Sequence, residues 1–112
     1  MRNISFSLTT QQFRDRTKTV TRRTRWQNLK AGDRLMGIVK GMGLKKGEKV
    51  ERLGEIEVVS VRREPLRNAT DDEAIKEGFP EMSGNAFREM FCRHQGGTPD
   101  QIVTRIEFKY VE

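Results

Sequence analysis

Short stretches of this chain alternate apolar with polar residues or gather β-branched residues in runs. These patterns predict β-strands, because successive side chains of a strand point to opposite faces of a sheet. The predicted strands are residues 4–8, 19–23, 34–39, 53–61 and 102–111. The alternation in residues 53–61 slips at Val58-Val59, which predicts either a bulge or a strand buried on both faces. In the last strand, the even-numbered side chains from Ile102 to Tyr110 form the predicted core face.

Capping signals predict three short helices. Two of them follow capping-box patterns, Thr9 with Gln12 and Thr70 with Glu73, and cover residues 10–16 and 71–77. The third begins near Ser83, and its apolar residues repeat at the three-and-four spacing of a buried helical stripe. Residues 40–49 are rich in glycine and lysine and are predicted to form an exposed hairpin loop.

The order of these elements predicts an α+β fold. Strands outnumber helices, and no long crossover helix separates the early strands, so we expect a small, mostly antiparallel β-barrel with short helices at its rim. The 112 residues suffice for one hydrophobic core, and we expect residues 1–112 to form a single domain.

Positive charge is concentrated in one segment, residues 14–25. This segment carries six basic residues and one acid, and therefore a net charge of +5 out of +6 for the whole chain. The basic residues are Arg14, Arg16, Lys18, Arg22, Arg23 and Arg25. Because a clustered cationic patch attracts a polyanion better than dispersed charge does, nucleic acid is the first partner to consider.

Other features of the composition exclude several classes of function. No window approaches the roughly 18 apolar residues of a membrane-spanning helix, so we expect no membrane association. The lone Cys92 fits a reducing compartment, and we expect a cytoplasmic protein. No cysteine and histidine spacing is typical of a metal site, and nothing implies a cofactor. The single histidine, His94, offers little support for the acid–base pair of a ribonuclease.

The segment Lys18-Thr19-Val20-Thr21-Arg22-Arg23, followed by the turn at Ala31-Gly32-Asp33 and the closing run Ile106-Glu107-Phe108, resembles an ASCH domain of the PUA-like superfamily. The hallmark of that family is Gly-x-Lys with an arginine five residues after the lysine. Lys18 and Arg23 match it, whereas Arg16 replaces the glycine. The resemblance implies a PUA-like β-barrel whose cleft binds RNA or a modified nucleoside or nucleotide.

One branch of small ASCH proteins, similar to this chain, hydrolyses the acetyl amide of N4-acetylcytidine with a lysine, a threonine and a glutamate. The resemblance carries the first two over to Lys18 and Thr21. The glutamate is carried over to Glu77 in the second predicted helix, with Glu73 as its nearest competitor.

The chemistry of such a trio depends on the charge of the lysine. A threonine hydroxyl attacks an amide only if a base takes its proton, and Lys18 serves as that base only when neutral. Burial and the neighbouring arginines would lower the pKa of Lys18, whereas a nearby carboxylate would raise it. The residues alone leave the balance open.

A second interpretation assigns this segment to binding. Its candidate ligand-binding residues are Lys18, Thr19, Arg22, Arg23, Arg25 and Trp26. Arg22 and Arg23 lie on opposite faces of the strand, and by the motif Arg23 is the one expected in the cleft. Trp26 would stack a base or anchor the core. A binding module, an amidohydrolase and, with least support, a protein-interaction module therefore stay open.

Overall fold

The computed structural model describes residues 1–112, and its strands form one sheet with helices packed against it. In chain order the elements are β1 (Arg2–Ser5), α1 (Thr10–Arg14), β2 (Val20–Arg23), β3 (Arg34–Ile38), β4 (Arg52–Pro65), a 3-10 turn (Leu66–Asn68), α2 (Asp71–Lys76), α3 (Gly84–Gln95) and β5 (Ile102–Tyr110). None of the helices is both long enough and apolar enough to cross a membrane.

The sheet is a curled half-barrel with the strand order β1-β3-β4-β5-β2. Only the β1–β3 pair is parallel, and the other three pairs are antiparallel. This arrangement confirms the predicted α+β fold with a mostly antiparallel sheet. The strands β1 and β2 are the edges of the half-barrel.

The irregularity predicted in the fourth strand is a bulge. The register of β4 against β5 shifts between Val58 and Ser60, and Val59 is 43% exposed. The extra residue restores the inward face of the strand, so that Val58 and Val61 both pack against the core.

Two predictions at the start of the chain are wrong. Thr9 makes no side-chain hydrogen bond to the first turn of α1, and the hydroxyl of Thr10 donates to the Phe6 carbonyl instead. The first helix ends at Arg14 rather than Arg16, because Arg16 adopts a left-handed conformation with φ of 61°. The Thr70–Glu73 cap of α2 is confirmed.

The predicted faces of β5 are also partly wrong. Ile102 is 48% exposed, whereas Val103 is fully buried. At this end of the strand, Val103 faces the helices α2 and α3, which cover the side of the sheet that the alternation had assigned to solvent. Ile106 and Phe108 lie in the core as expected.

The hydrophobic core has two parts. The first cluster fills the inside of the half-barrel and contains Ile4, Phe6, Phe13, Leu29, Leu35, Ile56, Val58, Ile106 and Phe108. The second cluster joins the helices to the sheet and contains Leu66, Ala69, Ala74, Phe79, Phe87, Phe91 and Val103. Six charged side chains are also buried, namely Lys18, Arg22, Glu64, Glu73, Glu77 and Arg105.

Candidate functional site

A cavity of about 240 Å³ opens between the two clusters, where the edge strands β1 and β2 approach each other. The Nη2 atom of Arg23, at the end of β2, donates to the carbonyl of Ser5, the last residue of β1, at 2.6 Å. Phenyl rings from both clusters line the cavity, namely Phe6, Phe79, Phe87 and Phe91. Its polar lining includes Lys18, Thr21, Arg22, Arg23, Glu77 and His94.

Lys18 and Glu77 form a buried ion pair in the wall of this cavity. The Nζ atom of Lys18 donates to the Glu77 carboxylate at 2.9 Å and to the Glu77 main-chain carbonyl at 2.7 Å. Both side chains are less than 5% exposed. Of the two glutamates that the resemblance offered, Glu77 is the one that contacts Lys18.

Local backbone structure brings the two residues together. Lys18 lies two residues after Arg16, whose backbone is left-handed. The Tyr110 hydroxyl donates to the Lys18 carbonyl at 2.6 Å. Glu77 caps the C-terminus of α2 and is followed by Gly78, whose φ is 103°. A Cβ atom at Gly78 would lie 2.9 Å from the Cβ atom of Gln12, so only glycine allows this close approach.

The pKa of Lys18 is lowered from its ordinary value. Burial is the largest cause, since it penalises the charged amine. The Glu77 carboxylate opposes this effect, and the charges of Arg23 and Arg22 add to it. Desolvation therefore outweighs the Glu77 carboxylate in setting the pKa of Lys18, a balance that the sequence alone left open.

Thr21 is 3% exposed and lies in the same cavity wall as Lys18. Its Oγ1 atom accepts a hydrogen bond of 3.1 Å from the Nε atom of Arg23, two residues further along β2. The hydroxyl hydrogen of Thr21 has no acceptor within the protein, so it is free to be given to a base.

Arg22 is the centre of a buried cluster of ionised side chains. Its guanidinium donates to Glu77 at 3.1 Å, to Glu64 at 3.1 Å and to Glu73 at 2.6 Å. Glu73 also accepts from Arg105 at 2.6 Å, and the hydrogen bonds from Arg105 are the main reason that the pKa of Glu73 falls to about 2. Arg22 thereby fixes the second carboxylate oxygen of Glu77, opposite the oxygen that binds Lys18.

Carboxylates neutralise much of the basic segment. Arg14 pairs with Glu51 and Arg16 with Glu112, while Lys18 and Arg22 are paired inside the fold. Arg23 and Arg25 form no salt bridge with any carboxylate. The field of this segment is therefore weaker than its sequence indicates.

Three of the predicted ligand-binding residues lie outside the cavity. Thr19 and Arg25 are exposed, and Trp26 packs half-buried against the first cluster. The guanidinium of Arg2 lies 4.3 Å from the centre of the Trp26 ring. These positions agree with an anchoring role for the tryptophan.

The aromatic lining of the cavity was not predicted as part of a site. Phe87 and Phe91 were assigned only to the core stripe of α3, and Phe6 and Phe79 carried no signal beyond their apolar character. A helical stripe identifies which side chains are buried but not that a cavity remains beside them. His94 follows Phe91 by three residues, so it lies on the same side of α3 and reaches the rim.

No protein-family model matches the chain, and no curated protein matches it. The crystal structures that share its fold include those of two bacterial proteins. An ASCH domain from Lactobacillus crispatus superposes with a TM-score of 0.64 at 18% identity, over 97% of this chain and 78% of that one. A protein of Enterococcus faecalis from the family DUF984 gives a TM-score of 0.63 at 19% identity, over 98% and 79% of the two chains. The chain therefore has the fold of an ASCH domain.

Proposed function

We propose that the cavity binds the base of a single nucleoside and that Lys18, Thr21 and Glu77 hydrolyse an acyl amide on that base. N4-acetylcytidine is the test substrate. The observation that carries the proposal is the Lys18–Glu77 ion pair, buried in the same cavity as a Thr21 hydroxyl whose hydrogen has no acceptor in the protein. A buried lysine with a lowered pKa beside a nucleophile in a cleft is typical of a catalytic site.

The size and lining of the cavity favour a ligand with one planar ring. Its volume of about 240 Å³ is below the roughly 300–1,000 Å³ of pockets that enclose drug-sized molecules. Four phenylalanines line the cavity, and proteins usually hold an unpaired base against aromatic side chains. A nucleoside or a base extended from a strand fits these properties, whereas a paired duplex does not.

In the proposed reaction, Thr21 Oγ1 attacks the acetyl carbon while neutral Lys18 takes the hydroxyl proton. The tetrahedral intermediate collapses with cleavage of the C–N bond, and Lys18 returns the proton to the departing cytosine amine. Water then attacks the threonine ester, again with Lys18 as base, and releases acetate and free Thr21. The sum is N4-acetylcytidine plus water giving cytidine plus acetic acid, which ionises to acetate and a proton.

Glu77 acts as the orienting group in this scheme. Its carboxylate and its main-chain carbonyl both accept from Lys18, and Arg22 holds the remaining carboxylate oxygen. The amine is therefore fixed in direction, although the carboxylate favours its charged form. The pKa of Lys18 is lowered despite this contact, so a larger neutral fraction is available near neutral pH than an exposed lysine would supply.

Turnover of N4-acetylcytidine, followed by chromatography, tests the proposal. We expect the wild type to release cytidine and Lys18→Met to lose at least about a hundredfold in rate, a typical contribution of a general base. Lys30→Met is the matched control, because Lys30 is 81% exposed and lies outside the cavity. No cytidine release by the wild type, or equal rates in the two variants, would contradict the proposal.

A second candidate function is retention of RNA beside the cavity. Lys40, Lys45, Lys46 and Lys49, in the loop between β3 and β4, are exposed and form no salt bridge. The loop begins next to Ser5, whose hydroxyl donates to the Val39 carbonyl at 3.2 Å. Unpaired lysines close to a base-sized cavity would contact the backbone of a strand whose base enters it.

Salt dependence separates this second function from nucleoside binding. Affinity for a single-stranded oligonucleotide should fall steeply with salt. Replacing Lys45 and Lys46 by glutamine should weaken this affinity about equally for oligonucleotides of any sequence. Binding of a free nucleoside should change little with salt. An oligonucleotide affinity unaffected by the double replacement would argue against the loop.

A further inference from the structure

Arg23 is a half-buried cation in the cavity wall that lacks an anionic partner. Its Nε atom donates to Thr21 Oγ1 at 3.1 Å, and its Nη2 atom donates to the Ser5 carbonyl at 2.6 Å. A guanidinium has five N–H hydrogens, and these two bonds leave three of them without a protein acceptor. No carboxylate lies within ion-pair distance of Arg23, in contrast to the three that contact Arg22.

The surroundings of Arg23 shield its guanidinium from part of the solvent. The guanidinium lies 5.1 Å from the centre of the Phe6 ring, which stabilises a cation only modestly. Burial lowers the pKa of Arg23 to about 10, against a weaker opposing effect of Glu77. A desolvated guanidinium of this kind gains more from a bound anion than an exposed one does, because water competes less for it.

We propose that Arg23 forms an oxyanion subsite of the cavity, beside Thr21, which binds a negatively charged oxygen of the ligand. The subsite adds an anion-binding group to the proposed function. It rests on that function only for the position of the ligand. A carboxylate such as the acetate product, or the phosphate of a nucleotide, supplies that oxygen in a stable complex. In acyl transfer, the oxyanion of the tetrahedral intermediate supplies it.

The position of Arg23 relative to the nucleophile supports the transition-state role. Its Nε atom donates to the oxygen that would attack, which places the guanidinium beside the nucleophile. The bond from Arg23 to Ser5 spans the two edges of the half-barrel and holds the guanidinium in place. A donor that is fixed before reaction costs no reorganisation when the charge develops.

Anion binding measured without turnover tests the subsite. The probes are acetate, its neutral analogue acetamide, and inorganic phosphate, each titrated into the protein while the amide resonances of residues lining the cavity are followed by NMR. We expect the wild type to bind acetate or phosphate at least about tenfold more tightly than acetamide, which corresponds to about 1.4 kcal/mol. A stronger response to acetate would indicate the acyl product, and a stronger response to phosphate would indicate a nucleotide.

Two variants with the same change of charge provide the control. Arg23→Gln should abolish the preference for anions, whereas Arg25→Gln should leave it intact, because Arg25 is exposed and outside the cavity. Arg23→Lys keeps the charge with fewer donors and should retain part of the preference, so the test survives if the glutamine variant folds poorly. Equal binding of acetate and acetamide by the wild type, or equal losses in the Arg23 and Arg25 variants, would overturn the subsite. Neither outcome depends on whether N4-acetylcytidine is hydrolysed, so the two proposals fail separately.

Discussion

Arg22 and Arg23 are neighbours in β2, yet their surroundings differ completely. Arg22 is surrounded by Glu64, Glu73 and Glu77 in the charged cluster, whereas Arg23 contacts a hydroxyl, a carbonyl and a phenyl ring. The comparison shows that a count of basic residues does not locate a binding site. Three carboxylates already satisfy Arg22, and Arg23 is the cation left for a ligand.

The largest expected difference between the two arginines is in stability. Arg22→Met leaves three buried carboxylates without their shared counter-ion and should lower the free energy of unfolding by about 3–5 kcal/mol. Arg23→Gln loses two hydrogen bonds and a poorly solvated charge, and should cost about 1 kcal/mol. Urea unfolding of both variants measures the difference, and similar losses would refute the contrast.

The charged cluster should also make stability depend on pH. Glu73 has a pKa of about 2 in the folded state against an ordinary value of 4.5. At pH values above 4.5, its ionised form therefore stabilises the fold by about 3 kcal/mol. This contribution should be lost as the pH falls from about 4.5 to 2.

The variant Glu73→Gln isolates this effect. Its difference in unfolding free energy from the wild type should shrink by about 3 kcal/mol over that pH range. Glu81→Gln, at an exposed glutamate without an ion pair, should differ little from the wild type throughout. A Glu73→Gln difference that stays constant with pH would show that the carboxylate is not stabilised in its ionised form.

Arg23 should influence the pH dependence of catalysis through Lys18. Since the reaction needs the neutral amine, kcat/KM should rise with pH through the pKa of Lys18. The charge of Arg23 lowers that pKa, so Arg23→Gln should move the rising limb to higher pH. Arg25→Gln should not move this rising limb. A pH profile of kcat/KM that is identical in the wild type and both variants would contradict the role of Lys18 as the base.

The smallest effect concerns Arg16, which replaces the glycine of the family motif. With φ of 61° the arginine has the backbone conformation that a glycine favours, and its guanidinium lies 5.4 Å from the centre of the Tyr110 ring. Arg16→Gly relieves about 1 kcal/mol of backbone strain and loses this stacking and the exposed Glu112 pair. We expect a change in unfolding free energy of less than about 1 kcal/mol and unchanged turnover. A large change in either would show that the turn depends on the arginine.

Sequence patterns were sufficient to predict the fold class, an irregularity near Val59 and the cap of α2. These features depend on local periodicity and turn chemistry, which a single sequence displays. The end of α1 and the buried face of Val103 were predicted wrongly, because they depend on a left-handed turn and on helices packed over the sheet. Local patterns contain neither.

For the site, the motif indicated Lys18 and Thr21, the alignment of the second predicted helix indicated Glu77, and the fold brings all three to one cavity. The division of roles between Arg22 and Arg23 was not predictable, because it depends on glutamates about 40 to 55 residues away in the sequence. The same limit applies to the phenyl lining, which two separate clusters supply.

The most direct test of Thr21 as the nucleophile compares Thr21→Val with Thr19→Val in the hydrolysis of N4-acetylcytidine. Both changes replace a hydroxyl by a methyl group in the same motif, but only Thr21 lines the cavity. We expect Thr19→Val to release cytidine at the wild-type rate and correctly folded Thr21→Val to release none above background. Equal rates in the two variants would contradict the assignment of Thr21 as the nucleophile.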